Sequence, residues 1–489
     1  MSLVRKVAVN AVAAATGRVL LVMTGVVSVG IATRYLGLEA YGALTTSTAF
    51  VTALAPLNDI GVSAIAAREL AKFPEERDRL IGSVLTLALG MSLVTTAVGV
   101  GAIHLLYPGA DNETVRNAVV IMLLIALPTS AAAAPASAYL IATQRAWTAM
   151  AAGVGGSLLT LLLLVLTWTL DWGFYGVAVA YAATATGYGA VLLTFAAGKI
   201  RFRPWFDRVL LRKLLVWAAP LGLSTILAAL YLRAPILVLG MVSSKAQVGL
   251  FGVGFKVLEG LRALPYFVTI TLMPEFARMA ENRDRLDTLV ERAVRLLQFF
   301  VIPMLIGIVT LADEVTAVVG GDEFEGSASV IRILAVGVAA AFISGVLGQA
   351  MVALNRQAQL LMLVSAILVL NVGLCLALIP SLGARGAALG FVIAEIAALL
   401  GVMLLFGRSG RRPSLRVQPA LGVAGAAMGG VGLLATLAGE SLNPAVVLVV
   451  GGGAAMAAYV GCLYALKAVP EEIQDGVVRP LWGRVRPRR

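Results

Sequence analysis

Apolar residues run through this chain in long blocks, and most polar and charged residues collect between the blocks instead of alternating inside them. A block of about 18 to 28 residues, rising ~1.5 Å per residue as a helix, matches the ~30 Å hydrocarbon layer of a bilayer. Fourteen such blocks occur, at roughly 7–33, 43–66, 81–106, 117–142, 147–170, 174–197, 214–241, 248–274, 295–312, 327–354, 358–379, 384–407, 418–438 and 444–467. Backbone in lipid has no water to bond, so each block predicts a membrane-spanning helix. The first is longer than the ~7–15-residue apolar core of a signal peptide and holds Arg18 near its middle, which predicts a retained helix.

Composition strengthens this picture. Of 489 residues 60% are hydrophobic and 13% charged, with a mean hydropathy of +0.93, far from the balance of a soluble domain. The net charge of +12 comes from 38 Lys+Arg against 26 Asp+Glu, and the cations sit mainly between spans. They report orientation, so no nucleic-acid partner is expected. Fourteen spans put both termini on one side. That side carries 29 of the 38 cations, while only Arg34, Arg116, Lys245 and Arg385 lie opposite, and five are inside spans. The positive-inside rule then predicts a multi-pass protein of the cytoplasmic (inner) membrane with both termini in the cytoplasm.

Little enzymatic chemistry is available. His104 is the single histidine, and Cys375 and Cys462 both lie in apolar runs, so neither a disulfide framework nor a zinc site is expected. Phosphate-loop, dinucleotide and metalloprotease motifs are missing, the predicted outer loops are short, and no catalytic residue, metal or cofactor is expected.

Sliding the two halves past each other reveals a repeat. Ala40-Tyr41-Gly42 meets Gln247-Val248-Gly249, Arg68 meets Arg278, Gln144-Arg145 meets Asn355-Arg356, and Gly173-Phe174-Tyr175-Gly176 meets Gly383-Ala384-Arg385-Gly386, at offsets of 207, 210, 211 and 210. Two parallel six-helix lobes are predicted, residues 1–206 and 207–410, followed by a segment 411–489 holding the last two spans and a basic tail. The fold class is an all-α polytopic membrane protein.

The stretch Thr33-Arg34-Tyr35-Leu36-Gly37-Leu38-Glu39-Ala40-Tyr41-Gly42, with Asp59-Ile60-Gly61 and Ala67-Arg68-Glu69-Leu70 after it, resembles the opening of the polysaccharide transporters, the oligosaccharide flippase branch of the multidrug/oligosaccharidyl-lipid/polysaccharide exporter superfamily. Gly320-Gly321-Asp322-Glu323-Phe324-Glu325-Gly326, with Arg332-Ile333-Leu334, resembles the family's connection between the ninth and tenth helices. The resemblance implies two lobes around a central cavity that carries a polyprenyl-pyrophosphate-linked oligosaccharide to the outer leaflet by alternating access. It also implies a polysaccharide polymerase and glycosyltransferases as partners. A lipid II flippase and a cation-coupled drug exporter of the same superfamily are the alternatives.

Eight ionisable residues interrupt the spans: Arg18, Asp59, Arg233, Lys256, Glu259, Arg262, Arg332 and Glu395. A charge at bilayer depth costs about 2.5 to 3.5 kcal/mol on insertion scales, so such residues usually face a bundle interior or an aqueous cavity. Arg18, Asp59, Arg233, Lys256, Glu259 and Arg262 fall on the first, second, seventh and eighth spans, which pair as repeat equivalents, and form the candidate substrate-binding set. Lys256, Glu259 and Arg262 lie at i, i+3 and i+6, either a lumen-facing stripe or an internal ion-pair set. Asp59, three residues after Pro56, either pairs with a lumen arginine or caps a broken helix. Glu395 is a candidate coupling-ion site or a protonated structural residue, and Arg332 an interfacial anchor. The glycine runs at 425–430 and 451–453 predict close helix packing.

Overall fold

The computed structural model describes residues 3–145, 147–261, 275–276, 278–408, 417–439 and 441–468. Of the described residues 89% are helical, and no strand occurs among them. In chain order the first eight helices are α1 (Leu3–Leu54), α2 (Val62–Lys72), α3 (Arg77–Leu106), α4 (Glu113–Ala142), α5 (Trp147–Leu170), α6 (Gly173–Ala196), α7 (Arg208–Val242) and α8 (Lys245–Leu261). Long helices follow over Arg283–Thr310, Ser327–Ala353, Gln357–Leu382, Ala384–Gly407 and Pro419–Ala438. A last span, Pro444–Ala465, passes through a π-helical turn at Val447–Gly451.

Twelve helices among the described residues are long and apolar enough to cross a bilayer. Both departures from the fourteen expected have a visible origin. The first two spans run on as one helical stretch, and of the eighth only Lys245–Leu261 falls within the described residues.

The join between the first two spans is Gly37, whose φ of 72° and ψ of 178° are not helical. Glycine adopts a positive φ without Cβ strain. The break removes a helical acceptor from the Leu38 N–H, which instead donates to Glu323 Oε2 at 3.0 Å. Thr33 Oγ1 donates to the Val319 carbonyl at 3.2 Å, and the Tyr41 and Phe324 rings meet edge-on at 5.6 Å. The two family-like stretches, nearly three hundred residues apart in sequence, are thus one contact.

Repeat-related positions also meet directly. A Cβ on Gly42 would lie within 1.8 Å of the Lys245 carbonyl oxygen, and one on Gly249 within 2.5 Å of that of Leu38. The second and eighth spans therefore cross with their backbones touching at the two glycines that the repeat aligns. Elsewhere the repeat recurs as local geometry. Gln144 and Asn355 end their helices at φ of 56° and 57°, and the following N–H groups, of Arg145 and Arg356, return to Leu140 and Met351 carbonyls at 2.9 and 3.0 Å. That is the same left-handed helix stop written twice.

The chain groups into two compact units: Met1–Gly260 with Val319–Ser327 and Val364–Ala394, and Leu261–Val318 with Ala328–Leu363 and Glu395–Arg489. These units group helices by packing, a different criterion from the sequence repeat. In the first unit Val62, Leu80, Ile81, Val84, Leu140, Leu192 and Leu214 share one core. In the second, Leu286, Val290, Leu297, Leu347 and Phe406 form a core, and the last two spans pack on Phe299, Ile302 and Ile306 through Leu421, Met428 and Tyr459. Close approach accounts for Gly425 against Ile306 and for Gly451 against Ala435, but Gly430 and Gly453 face open space.

Candidate functional site

Within the first unit α1, α4, α6, α7 and α8 enclose a cavity of about 430 Å³. One wall carries hydroxyls: Thr45, Thr48 and Thr52 on α1, and Tyr181, Thr184 and Tyr188 on α6, with Ser130 of α4. The spacing i, i+3, i+7 on each of the two helices puts three hydroxyls on one face. Threonine in a span usually returns its proton to the preceding turn, as Thr48 does to the Thr45 carbonyl at 3.0 Å and Thr52 to that of Thr48 at 2.7 Å. The hydroxyl oxygens keep acceptor capacity toward the cavity. The Tyr181 hydroxyl is buried and has no hydrogen-bond partner among the described residues.

The remaining wall carries charge from Arg233, Lys256 and Glu259. Arg233 Nη2 lies 2.7 Å from Glu259 Oε1, and Lys256 Nζ lies 3.3 Å from Glu259 Oε2, so one carboxylate serves two cations and the group keeps a net charge of +1. Phe255 places its ring 5.5 Å from the Arg233 guanidinium carbon. The position of Arg233 follows from Pro235. Proline supplies no N–H to the carbonyl four residues earlier, and that carbonyl, of Tyr231, accepts instead from Asn371 Nδ2 at 3.2 Å. The bond anchors α7 two residues before the arginine. Among the described residues no three acidic, histidine or cysteine side chains converge to hold a metal.

Of the residues singled out in the sequence, the structure brings Arg233, Lys256 and Glu259 together. Arg18 does not line this cavity; it sits nearer the start of α1, half-buried, with Nε unpartnered among the described residues. Two turns further along α1, Gly25 leaves room for the Lys256 side chain, 3.7 Å from where a Cβ would stand. Asp59 follows the capping arrangement: its Oδ1 accepts from Ser63 N–H at 3.0 Å and Ser63 Oγ at 2.8 Å at the start of α2. Glu395 is buried on Ala384–Gly407 in the second unit. Arg332 pairs with Asp313 and donates from Nε to the Val309 carbonyl at 3.2 Å. Arg262 lies outside the described residues. The hydroxyl wall escaped the sequence reading, although its signal was there in threonines and tyrosines spaced three and four apart within otherwise apolar spans.

No curated protein sequence matches the chain. Solved structures do. A lipid II flippase MurJ in an inward closed conformation superposes with a TM-score of 0.76 at 12% identity, over 94% of this chain and 99% of that one. An inward-facing multidrug resistance MATE family transporter of the MOP superfamily gives 0.62 at 19% identity, over 80% and 93%. A MATE in complex with MaL6 gives 0.53 at 19% identity, over 80% and 95%. At such identities these likenesses establish the fold, an all-helical membrane architecture shared with MurJ and MATE transporters. The model of one sequence family, described as polysaccharide biosynthesis protein, matches residues 31–329. That span covers more than half of the chain and takes in Thr33 to Gly42, Gly320 to Gly326 and the charged wall of the cavity, so the chain belongs to the polysaccharide biosynthesis protein family.

Proposed function

We propose that this protein is a flippase that moves a polyprenyl-pyrophosphate-linked oligosaccharide from the inner to the outer leaflet by alternating access between lobes 1–206 and 207–410. The observation that carries the reading is the cavity's division of labour. Hydroxyls suit a sugar, and two cations held by one carboxylate suit a diphosphate. Guanidinium bonds to phosphate oxygens are charge-assisted and often bidentate. An incoming diphosphate displaces Glu259 from Arg233 and Lys256; when Glu259 re-pairs, it competes the anion off again, so the site releases what it binds. Arg18 and Arg262 extend the cationic path, Asp59 sets the break in the second span, and Glu395 is the proposed coupling site for a cation or proton. Translocation makes and breaks no covalent bond, so the reading is of a transporter and not an enzyme.

The test is delivery of lipid-linked sugar to the outer leaflet by cells that depend on the variant protein. Arg233→Gln and Lys256→Gln combined with Glu259→Gln, which leaves no stranded charge, is expected to abolish delivery while the protein stays in the membrane, and normal flipping by that triple variant would overturn the diphosphate reading. The fold shared with the solved lipid II flippase makes lipid II the competing cargo. Rescue of peptidoglycan synthesis, and not of surface polysaccharide, would select it. A cavity of net positive charge disfavours export of cationic drugs.

The same proposal places the protein in the inner membrane with cytoplasmic termini, beside glycosyltransferases that supply its cargo and a polymerase that consumes it. Cysteines introduced at Lys199 and Arg411 are expected to label only from the cytoplasm, and one at Asp322 only from outside. Outside labelling at Lys199 would refute the orientation.

A further inference from the structure

A second surface lies away from the cavity just described, on the outward face of the first turns of α7. It is lined by Arg208, Val209, Arg212, Lys213, Val216 and Trp217. On α7 the positions Leu210, Leu211, Leu214 and Ala218 face the core of the first unit, which turns these six residues outward. Val209 and Val216 are 78% and 60% exposed, and Phe206 and Trp205 just before the helix are exposed as well. Aliphatic and aromatic side chains left bare between cations are what a headgroup-level membrane surface meets, since tryptophan prefers that depth and arginine stems cover apolar surface while their heads stay in water.

The local charge is unbalanced. Glu69 lies 3.7 Å from Arg68 and 3.8 Å from both Lys72 and Lys213, so one carboxylate is shared by three cations. Asp207 is taken by Arg79, and neither Arg208 nor Arg212 has an acidic partner among the described residues. Lys213 Nζ and the Arg68 guanidinium lie 4.3 and 5.6 Å from the Trp217 ring centroid, which keeps the cations on one rim.

We infer that this surface binds an anionic phospholipid of the leaflet that the charge bias assigns to the cytoplasm. Arg208, Arg212 and Lys213 hold the phosphate, and Val209, Val216 and Trp217 take the upper acyl chains. Phospholipid fits better than an acidic protein because the apolar residues alternate with the cations along the helix and form no separate core patch. The inference stands apart from the choice of cargo. It concerns a boundary lipid that fixes the seventh span at its depth, so its failure would leave the flippase reading intact.

The test uses the purified full chain in phosphatidylcholine vesicles carrying brominated phosphatidylglycerol or brominated phosphatidylcholine. Quenching of Trp217 is isolated as the difference between wild type and Trp217→Phe. Stronger quenching by the anionic lipid is expected. Each cation near an anionic surface contributes roughly fivefold in binding, so Arg208→Gln/Arg212→Gln/Lys213→Gln is expected to lose a preference on the order of 100-fold. Should the triple variant fold poorly, the single exposed change Arg212→Glu must still cut the preference. Equal quenching by both lipids overturns the proposal, as does a preference that survives these changes. Displacement of phosphatidylglycerol by soluble inorganic pyrophosphate at low concentration would overturn it too, by assigning the site to a free phosphate.

Discussion

Two carboxylates in this protein, Glu259 and Glu69, each serve several cations, and their surroundings give them opposite characters. Glu259 holds Arg233 at 2.7 Å and Lys256 at 3.3 Å on a cavity wall within the spans. Glu69 is itself buried, yet its three partners stand 3.7 to 3.8 Å away with roughly half of each side chain in solvent. Short, partly buried pairs are stronger and costlier to leave unmade than long, exposed ones. Long, exposed pairs are worth at most about 1 kcal/mol each, and salt screens them. The first arrangement is therefore suited to exchange one anion for another at a defined place. The second leaves excess positive charge for an adaptable anionic surface. On the two proposals above, similar residue types serve a selective site and a general anchor, and burial and pair distance separate them.

The comparison breaks most sharply at the cavity. Removing both cations with Arg233→Gln and Lys256→Gln leaves Glu259 unpaired; a fully buried pair costs about 3 to 5 kcal/mol to break and this partly exposed one costs less, so a moderate drop in abundance is expected. Adding Glu259→Gln removes the stranded charge. The triple variant is expected to return to normal membrane levels while outer-leaflet delivery stays absent, as read by immunoblot and by surface polysaccharide. Delivery restored along with abundance would reduce the three residues to a structural ion-pair set.

Next in size is backbone contact where the second and eighth spans begin. Gly42→Ala puts a methyl within 1.8 Å of a carbonyl oxygen, whereas Gly90→Ala on α3 meets nothing within 4 Å. Gly42→Ala is expected to lower the melting temperature in detergent by many degrees, and Gly90→Ala to hold or raise it, because alanine favours a helix by ~1 kcal/mol over glycine. Similar melting of the two would mean that the second and eighth spans do not touch there.

A smaller effect is expected at Glu69. Glu69→Gln frees three cations without removing any, so it should shift stability by about 1 kcal/mol or less and increase the salt-sensitive part of anionic-lipid binding. Adding salt should weaken that binding and leave the cavity pairs nearly unaffected. Equal salt sensitivity of lipid binding and delivery would erase the distinction between the clusters.

The smallest effect concerns pH. Arg79, followed by the Leu210 and Val209 N–H groups at the start of α7, holds the Asp207 carboxyl below its ordinary range. A carboxyl whose folded value is depressed contributes stability above its unfolded value, and that contribution is lost as pH falls through the usual carboxylate range toward the folded value. Melting measured from neutral to acid pH is expected to drop less in Asp207→Asn than in wild type. An identical acid drop in both would show that this clasp is not a source of it.

Much of the architecture was legible from the chain alone, for a plain physical reason. Lipid forces every spanning segment to satisfy its backbone by itself, so a long apolar run has few options other than a helix. The charge at bilayer depth was equally visible, since Arg233, Lys256 and Glu259 stand out against an apolar background, and the repeat showed in Gly42 and Gly249. Sequence also gave the chain's family likeness in two separate stretches. Tertiary structure alone decided that these stretches touch through Glu323 and the Leu38 N–H, and that the aligned glycines are in contact. It also decided that Asp59 caps a helix, and that Glu259 takes one cation from its own helix and the other from α7. Helix formation in lipid is a local consequence of composition. Which faces meet depends on side-chain shape and on partners hundreds of residues away, and no local pattern encodes that.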